Sequence, residues 1–526
     1  MTLRQAAQGS EVDEKLAALL TNANAVRAIA SAVEGTIGPK GLDTLLVDRF
    51  GEVVITNDGM TILTKMDVNH PAAKMVINTA KAQEDEVGDG TTTATIMAGS
   101  LLSEGVAQAI RGVPVTRLID GIKAGISKAV QVIEEKAVRI DDVTDPLLRK
   151  VALVAGRENQ DIADLVVQAA IMVGKEKLLD RRFKLSETIV AKEGAENEVF
   201  AGIIVDKKRI NEEMPESLSE PRVLVVDDSL EPEQVEEEAL ATEAGFQRYL
   251  DLQEEFKRNL AKIVRMGVGL IVVDGGVSDI AEEILSDAGV MVLARVSSAE
   301  IRKVCEHTGA RSVKRTGLKK PPEELWKYLG SAQTVYEDPK LENVRILGGR
   351  GKPMATILVG ATTEEVRGER ERICTDAAAS VQAAVRGGVV AGGGAIEIAL
   401  SREVDKMRSS QKGMQAYGLL CVVEALKRPM SQIVLNAGFN PLEKVGDVIA
   451  RQTETGNDSL AVDCETGEIV DMWEMGVIDP APVKIHALKA ALEIACAILR
   501  IDTIIKKKDE GGPADSSREQ VEEMDF

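Results

Sequence analysis

The sequence predicts a multidomain α+β protein, in which mainly helical first and last thirds flank a middle third of α/β layers. The 526 residues exceed the size of one ordinary core and indicate two to four domains. Apolar residues recur at helical spacing near both ends of the chain, whereas short buried-strand patterns alternate with helical patterns in the centre.

The composition is that of a folded protein and excludes several classes of function. Hydrophobic residues make up 44% and charged residues 28%, but aromatic residues only 2%, so the core must rest on aliphatic side chains. The net charge of −21 argues against a nucleic-acid partner. Five scattered cysteines without a CxxC pair indicate a reducing cytoplasm, and three histidines without HExxH spacing argue against a histidine-based metal site.

Targeting and membrane signals are not visible in the chain. The segment Met1–Asp13 is polar and has no apolar signal-peptide core. No uncharged run of about 18 apolar residues occurs, because Arg386, Glu397 and several glycines interrupt the best candidate. We therefore expect a cytoplasmic protein without a membrane partner.

The first third begins with a predicted helix over Val12–Ala32, which the Gly-Pro turn of Thr36–Gly41 ends. Leu42–Asp48 and Glu52–Thr56 then form a predicted hairpin around Arg49-Phe50-Gly51. The turn Asn57-Asp58-Gly59 would expose Asp58, although this sequence is also common turn chemistry. Helical segments follow from Pro71 to Lys136, and the polar break Ile140–Pro146 is a predicted boundary. Helical Leu147–Val173 and short strands over Ser186–Val205 complete this part.

One short stretch, Gly88-Asp89-Gly90-Thr91-Thr92-Thr93, stands where the charged and turn-prone Gln83–Val87 meets a helix over Ala94–Ile110. The glycines allow unusual backbone angles, the threonines can cap the helix, and free N–H groups at its start attract anions. Asp89 would repel a phosphate unless a hard divalent cation bridges the two. The stretch therefore suggests a Mg-nucleotide, although a plain capped helix after a tight turn remains open. GxxxxGK[ST] does not occur, which excludes a P-loop.

The middle third predicts an α/β layered domain. Its strands are Arg222–Val226, Gly269–Asp274 and Val290–Val296, and its helices include Asp279–Ala288 and Ser298–Thr308. The charged segment Glu231–Ile263 carries an apolar stripe at helical spacing, formed by Phe246, Tyr249, Leu250, Leu252, Phe256, Leu260 and Ile263. This segment is either an ordinary surface helix or a protruding arm that docks on a partner.

The last third returns to helices and adds three further features. Asp376 enters an alanine-rich stretch of the predicted helix Thr362–Val385, where it is either functional or only a helix cap. Two turns, Val389–Ala395 and Gly476–Pro480, precede the predicted helices Ile396–Val404 and Val483–Leu499. We expect Lys506–Phe526, which is charged and poor in apolar residues, to be a mobile tail.

The order of these motifs closely resembles the chaperonin family over nearly the whole chain. The motifs are TIGPKG (36–41), NDGMTIL (57–63), HPAAKM (70–75), GDGTTTA (88–94), ERICTDAAASV (371–381), VVAGGGAIE (389–397), DMWEMGVIDP (471–480) and LRIDTII (499–505). HPAAKM, DMWE and LRID resemble the thermosome-like group II of archaea and the eukaryotic cytosol. VGKE (173–176) and parts of ERICTDAAAS are less typical and indicate a divergent branch.

The resemblance implies three nested domains, and this nesting does not follow from periodicity. A mainly helical equatorial ATP-binding domain would comprise 1–142 and 389–526, and a small α/β intermediate hinge domain 143–206 and 356–388. An α/β layered apical domain, which binds unfolded protein, would comprise 207–355, with a helical protrusion at about 231–260 as a built-in lid.

The resemblance also assigns roles to individual residues. It implies that Asp89 holds Mg²⁺ and that Asp58 and Asp376 act as catalytic carboxylates, which orient the attacking water and the metal. ATP-binding residues would be Thr36, Ile37, Gly38, Pro39, Lys40, Gly59, Gly88, Gly90, Thr91, Thr92, Thr93, Arg157, Gly393 and Asp479. Gly393 and Asp479 would contact adenine and ribose. Group II members have a phosphate-sensing lysine, and Ala155-Gly156-Arg157 is the nearest match here, so Arg157 would replace that lysine.

The leading hypothesis is therefore an ATPase that encloses and folds unfolded proteins. Its partners would be identical or homologous subunits in stacked rings and unfolded client proteins, without a separate cap protein. A nucleotide-dependent metabolic enzyme and a ring with vestigial ATP binding are the alternatives. The sequence offers no second acid/base pocket for the former, and Asp58, Asp89 and Asp376 together argue against the latter.

Overall fold

The computed structural model describes residues 11–47, 51, 53–235 and 242–502. Both ends of the chain contribute to one helical body with a shared core, which includes Val33, Leu118, Leu400 and Ala491. Its helices are Glu11–Glu34, Gly59–Lys65, Pro71–Val87, Thr91–Ile110, Val115–Lys136, Ala395–Ser410, Gln415–Asn436, Pro441–Thr455, Met472–Met475 and Ala481–Leu499. The two helical thirds predicted from the sequence are thus packed against each other.

Small residues let these helices approach closely, which suits a core that is poor in aromatic residues. An added Cβ on Gly121 would lie 2.2 Å from the Gln415 carbonyl oxygen, and one on Gly418 would lie 2.2 Å from the Leu118 carbonyl oxygen. The helices Val115–Lys136 and Gln415–Asn436 therefore meet backbone to backbone. Such close packing compensates for the missing aromatic volume.

Three short antiparallel strand pairs attach to the helical body. Thr44–Val47 pairs with Val53–Thr56, Val389–Ala391 with Ile478–Pro480, and Leu460–Val462 with Ile469–Asp471. The first pair is the predicted hairpin, but most of its connection lies outside the described residues. The second pair corrects the sequence prediction, because two segments interpreted as turns each contain a strand.

A second core lies between a helical layer and one side of a mixed sheet. The helices are Pro146–Ala155, Gln160–Val173, Lys175–Leu179 and Glu364–Gly387, with a 3₁₀ turn at Leu185–Thr188. The six strands lie in the order Ile189–Glu193, Ala355–Ala361, Glu198–Val205, Asn343–Leu347, Thr334–Asp338 and Ser217–Ser219. Only the first two strands are parallel to each other.

The central part of the chain forms the predicted α/β layers. Its four-stranded sheet has the order Met291–Leu293, Val268–Val273, Arg222–Val226 and Gly330–Ser331, of which the first three are parallel. The helices are Glu243–Arg265, Asp279–Asp287, Ser298–Thr308 and Pro322–Leu325, with 3₁₀ turns at Arg315–Lys319 and Trp326–Tyr328. Apolar cores cover both faces of this sheet, as parallel strands require.

The helix Glu243–Arg265, which we name the arm helix, is buried along only part of its apolar stripe. Leu252, Phe256, Leu260 and Ile263 are buried in the α/β layers. Phe246 and Tyr249 in its first turns stay 54% and 37% exposed, respectively. Residues 236–241, which belong to the predicted arm, lie outside the described residues. So does the predicted tail Lys506–Phe526.

Over the described parts of the chain, no helix combines the length and the apolar character needed to cross a membrane.

Candidate active site

The turn Gly88–Gly90 joins the helix Pro71–Val87 to the helix Thr91–Ile110. Gly88 and Gly90 both have left-handed backbone angles, with φ of 70° and 79°. An added Cβ on Gly88 would lie 2.4 Å from the Cβ of Ala379, and one on Gly90 would lie 2.6 Å from Cγ1 of Val483. Both the backbone angle and the available space therefore require glycine at these two positions.

Two details of this turn differ from the sequence prediction. Gln83–Val87 is the last part of a helix and not a turn, because glutamine and glutamate are good helix formers and Asp85 and Glu86 face solvent. The threonines do not cap the next helix: Gly90 is its N-cap, and no side chain within the described residues caps it. The first-turn N–H groups of Thr91–Thr93 thus lack a side-chain acceptor, which suits an anion.

Asp89 is held in place from two directions. Its Oδ2 accepts a hydrogen bond from Ser380 Oγ at 2.7 Å, and its Oδ1 accepts one from the Gly90 N–H at 2.5 Å. Gln83 Nε2 donates to the Asp89 carbonyl oxygen at 2.8 Å. Burial raises the pKa of Asp89, while the two hydrogen bonds to its carboxylate oppose this rise.

Asp58 lies at a helix N-terminus and is partly buried, whereas the sequence predicted an exposed position in a turn. Its Oδ2 accepts a hydrogen bond from the Thr61 N–H at 2.7 Å, and its Oδ1 accepts one from the Met60 N–H at 3.3 Å. An added Cβ on Gly59 would lie 2.2 Å from Thr92 Oγ1. Gly59 therefore lets the Asp58 turn pack directly against the threonines after Asp89.

Asp376 reaches this place from a distant part of the chain. It lies in the interior of the helix Glu364–Gly387, whose N-cap is Thr363, so Asp376 does not cap this helix. Burial raises the pKa of Asp376 well above its usual range, and the charges of Asp89, Glu84 and Asp58 raise it further. Arg157 opposes this rise, because its Nη2 lies 3.9 Å from Asp376 Oδ2.

Glu84 is a fourth carboxylate here, which the sequence analysis did not single out. Burial, followed by the charges of Asp58 and Asp89, raises the pKa of Glu84 from 4.5 to about 7. Its spacing holds a signal, because Glu84 lies four residues before Gly88 and so on the helix face that leads into the turn. Only the fold, however, shows that this face meets Asp58 and Asp376.

This donor set fits a divalent cation bound together with a phosphate. Within the described residues, no group of three histidine, cysteine or acidic side chains is arranged to hold a metal ion by itself. Burial is the main cause of the raised pKa values of Asp89, Glu84 and Asp376, and the charges of neighbouring carboxylates raise each of them further. Mg²⁺ commonly uses one or two carboxylates and takes its other ligands from water and phosphate oxygens. Asp89 is the carboxylate placed at the predicted phosphate turn.

The pKa of Glu84 leads to a prediction for stability. The folded pKa lies above the ordinary value of 4.5, so the folded state holds this proton more tightly than the unfolded chain. The resulting stability is complete below about pH 4.5 and is lost as the pH rises through about 7. Without Mg²⁺ and nucleotide, the melting temperature should fall between about pH 5 and pH 7, and it should fall less in Glu84→Gln. Glu86→Gln, an exposed change nearby, is the control; equal pH slopes in wild type and Glu84→Gln would contradict the assignment.

The predicted loop Thr36–Lys40 packs on the helix Gln415–Asn436. Asn436 Nδ2 donates to the Ile37 carbonyl oxygen at 2.9 Å, and an added Cβ on Gly38 would lie 3.0 Å from Ile433 Cγ2. We name Asp58, Glu84, Asp89 and Asp376 the carboxylate cluster. Lys40 pairs with the exposed Glu465 instead of with this cluster. The loop is thus anchored at Ile37 and Gly38, while Lys40 lies at the surface.

Arg157 contacts both Asp376 of the carboxylate cluster and Glu369, which lies outside it. Its Nη1 donates to Glu369 Oε1 at 2.6 Å, in addition to the longer contact with Asp376. Arg157 has a left-handed φ of 52°, which is uncommon for a residue other than glycine. The guanidinium of Arg157 is therefore held at the edge of the cluster, between Glu369 and Asp376.

Gly393 and Asp479 lie on neighbouring segments, since the strands Val389–Ala391 and Ile478–Pro480 pair there. Lys484 Nζ lies 2.7 Å from both Asp479 Oδ2 and Glu397 Oε1. Burial lowers the pKa of Lys484, but these two carboxylates outweigh burial and raise it. Lys484 and Asp479 also lie close enough to change the pKa of Asp89. Lys484 has no local signal in the sequence, because its contacts with Asp479 and Glu397 form only in the fold.

A family model described as the TCP-1/cpn60 chaperonin family matches residues 29–509. The thermosome subunit of Pyrococcus abyssi is 35% identical over 505 residues, which cover 92% of this chain and 90% of the relative. The thermosome subunit beta of Aeropyrum pernix is 36% identical over 504 residues, which cover 93% of this chain and 91% of the relative.

A solved structure, described as the crystal structure of a group III chaperonin in the open state, is also similar. It has a TM-score of 0.87 and 48% identity, and the match covers 94% of this chain and 100% of that chain. This match confirms the predicted multidomain α+β fold class. The identity to the group III structure exceeds that to the two thermosome subunits, which agrees with the predicted divergent branch.

Proposed function

This chain belongs to the TCP-1/cpn60 chaperonin family, and we propose that it is an ATP-hydrolysing subunit of a double ring that encloses unfolded proteins and assists their folding. One observation carries the proposal. The glycine turn at Asp89 lies close to Asp58, Glu84 and Asp376. Asp376 comes from the helix Glu364–Gly387, which packs in the second core and not in the core of the helical body. Chemistry at this place therefore depends on how two parts of the chain are docked.

The domain assignment is part of this proposal. We assign 1–142 and 389–526 to an equatorial domain, 143–206 and 356–388 to an intermediate domain, and 207–355 to an apical domain. The separate apolar cores of the helical body, of the helical layer with Glu364–Gly387 and of the α/β layers support these divisions. The six-stranded sheet joins the intermediate and apical domains, since three of its strands lie within 207–355. The identical or homologous subunits that complete the rings would contact the equatorial domains.

The residues of the turn would bind and orient the nucleotide. The N–H groups of Thr91–Thr93 would donate to phosphate oxygens, and Asp89 would hold Mg²⁺. When bound, Mg²⁺ would neutralise charge on the phosphates and on the carboxylates around them. Gly393 and Asp479 would contact adenine and ribose, while Thr36–Lys40 would close over the phosphates.

Asp58 and Asp376 would orient the attacking water. The water oxygen bonds to the γ-phosphorus as the bond to the leaving ADP oxygen breaks, and a carboxylate accepts the released proton. Only an ionised carboxylate can accept this proton. The negative charges of Asp89, Glu84 and Asp58 raise the pKa of Asp376, so neutralising these charges favours the ionised form of Asp376 and thereby the reaction. Arg157, close to Asp376, would sense the phosphate in place of the group II lysine.

The arm helix supports a built-in lid. Its buried half anchors it in the α/β layers, while Phe246, Tyr249 and Leu250 are exposed apolar side chains near its N-terminus. Exposed apolar surface of this kind marks contact with other proteins. These residues would meet neighbouring arms when the chamber closes, and a separate cap protein would be unnecessary.

Removal of the arm tests the built-in lid. Lys319 contacts Glu233 at 2.9 Å and Glu255 at 3.3 Å, so the chain before the arm lies beside its anchored half. A short Gly-Ser linker can therefore replace residues 234–251 and leave the buried Leu252 and Phe256 in place. We expect ring assembly and ATP hydrolysis to persist, whereas ATP-dependent protection of an enclosed client from protease should be lost.

The intact protein is the control for this test. The intact protein should protect the client when Mg-ATP is added and no other protein is present. Protection by the deleted protein, or a requirement of the intact protein for a separate cap, would contradict the built-in lid.

A further inference from the structure

Arg372 lies one helical turn before Asp376 and reaches across to the turn that holds Asp58. Its Nη1 donates to Thr56 Oγ1 at 2.7 Å and to Thr61 Oγ1 at 3.3 Å. Arg372 and Asp376 are four residues apart on the same helix, so their side chains lie on the same face. One guanidinium thus connects the helix of one catalytic carboxylate to the turn of the other.

Thr56 and Thr61 both form hydrogen bonds with Asp58. The Asp58 N–H donates to Thr56 Oγ1 at 3.1 Å, and the Thr61 N–H donates to Asp58 Oδ2 at 2.7 Å. Arg372 therefore bonds to residues on both sides of Asp58 in the sequence. Loss of the guanidinium would leave the turn intact but free to shift relative to the helix.

A second set of contacts runs from Arg372 back to Asp376. Arg372 Nη2 lies 2.9 Å from Glu369 Oε2, and the other oxygen of Glu369 accepts the hydrogen bond from Arg157. Arg157 in turn faces Asp376. These side chains are partly shielded from solvent, and a planar guanidinium fork makes such contacts directional.

We propose that Arg372 is a positioning residue, which sets the separation of Asp58 and Asp376 when the helix Glu364–Gly387 docks on the Asp58 turn. The inference rests on the proposed function, which gives these two aspartates the attacking water. Arg372 itself contacts threonines and Glu369, so it acts on the reaction only through the placement of the carboxylates. The carboxylates would be well placed for hydrolysis only when this contact is made.

The test is the steady-state hydrolysis of Mg-ATP by assembled wild type and variants. Misplacement of a reacting group by about 1 Å costs on the order of 100-fold in rate. We expect Arg372→Met to lower kcat by about 10- to 100-fold and to change KM for ATP by less than about threefold. Arg372→Lys should restore part of the loss, because a lysine keeps the charge but not the fork.

Two further variants separate positioning from general stability. The double variant Thr56→Val/Thr61→Val removes both hydroxyl acceptors of Arg372, and it also removes the hydrogen bond from the Asp58 N–H to Thr56 Oγ1. This variant should lower kcat, and Arg372→Met should add little to its loss, because the acceptors of the guanidinium are already absent. Arg367→Gln is the matched control, since Arg367 lies on the same helix and pairs with Glu364 within it. This control should match wild type.

The outcomes distinguish the inference from the proposed function. If wild type hydrolyses Mg-ATP and Arg372→Met does so at the wild-type rate, the inference is wrong and the proposed function stands. Additive losses in the combined variant would also overturn the inference. If wild type does not hydrolyse Mg-ATP, the proposed function fails and the inference fails with it. If Arg372→Met melts at a lower temperature than wild type, the kcat of the double threonine variant is compared with and without Arg372→Met. An unchanged kcat supports the inference, and a further loss overturns it.

Discussion

Asp376→Ala is expected to bind ATP with nearly unchanged affinity and to hydrolyse it about 10²–10⁴-fold more slowly, the usual contribution of a positioned acid or base. Asp376 is surrounded by Asp89, Glu84 and Asp58, whose charges add to the effect of burial and raise its pKa. Removing one carboxylate from this cluster lowers the repulsion toward phosphates, so binding should not suffer. Single-turnover hydrolysis and equilibrium ATP binding, measured on the same preparation, give the two quantities.

The control for Asp376→Ala is Glu371→Ala, which removes an exposed carboxylate from the same helix. This control should retain wild-type turnover. Because Asp376 lies inside the helix and not at its N-cap, loss of a capping interaction cannot explain a slow Asp376→Ala. Turnover near the wild-type rate in Asp376→Ala would remove this residue from the mechanism.

Much of the local structure could be predicted from the sequence. The helix Ser298–Thr308 has the predicted bounds, because Ser297 forms a capping box with Glu300 and Gly309 ends the helix. The strands Arg222–Val226 and Val268–Val273 agree closely with the predicted buried runs. Such features depend on neighbouring residues, which the sequence displays directly.

The failures concern charged residues and contacts between distant segments. Gln83–Val87 was predicted as turn-prone because it is charged, yet its residues continue a helix with one face covered. The expected caps at Thr91–Thr93 are absent within the described residues, since Gly90 takes the N-cap position. Glu84 and Lys484 meet the groups that change their pKa only through folding. The position of Glu84 four residues before Gly88 is a local signal, but it does not show which groups Glu84 meets.

The nested order of the domains required the resemblance to a known family. Periodicity shows helices near both ends of the chain, but it does not show that they share a core. Val33 and Ala491 meet in one apolar cluster although they are far apart in the sequence. Local physical rules predict the elements, whereas this long-range pairing needed either a relative or a structure.

Asp89→Ala is expected to abolish the Mg²⁺-dependence of nucleotide binding. Asp89 is the carboxylate within the glycine turn, and hydrogen bonds from Ser380 and Gly90 fix its orientation. The helix N-terminus after it attracts phosphate with or without the metal, so weak metal-independent binding should remain. Hydrolysis should be lost, because charge on the phosphates is no longer neutralised.

Ser380→Ala is the matched control for Asp89→Ala. It removes one hydrogen bond to Asp89 and keeps the carboxylate, so binding should still respond to Mg²⁺. Asp89→Ala requires no larger side chain in the turn, and Gly88 and Gly90 keep their left-handed angles. A loss of Mg²⁺-dependence in Asp89→Ala alone would therefore be due to the carboxylate.

Calorimetric titration of ATP into wild type and Asp89→Ala, each with Mg²⁺ and with a chelator, tests the Mg-nucleotide site most directly. We expect Mg²⁺ to tighten ATP binding to wild type and to have no effect on binding to Asp89→Ala. Equal ATP affinities of wild type and Asp89→Ala under both conditions would contradict the assignment of the glycine turn as the Mg-ATP site.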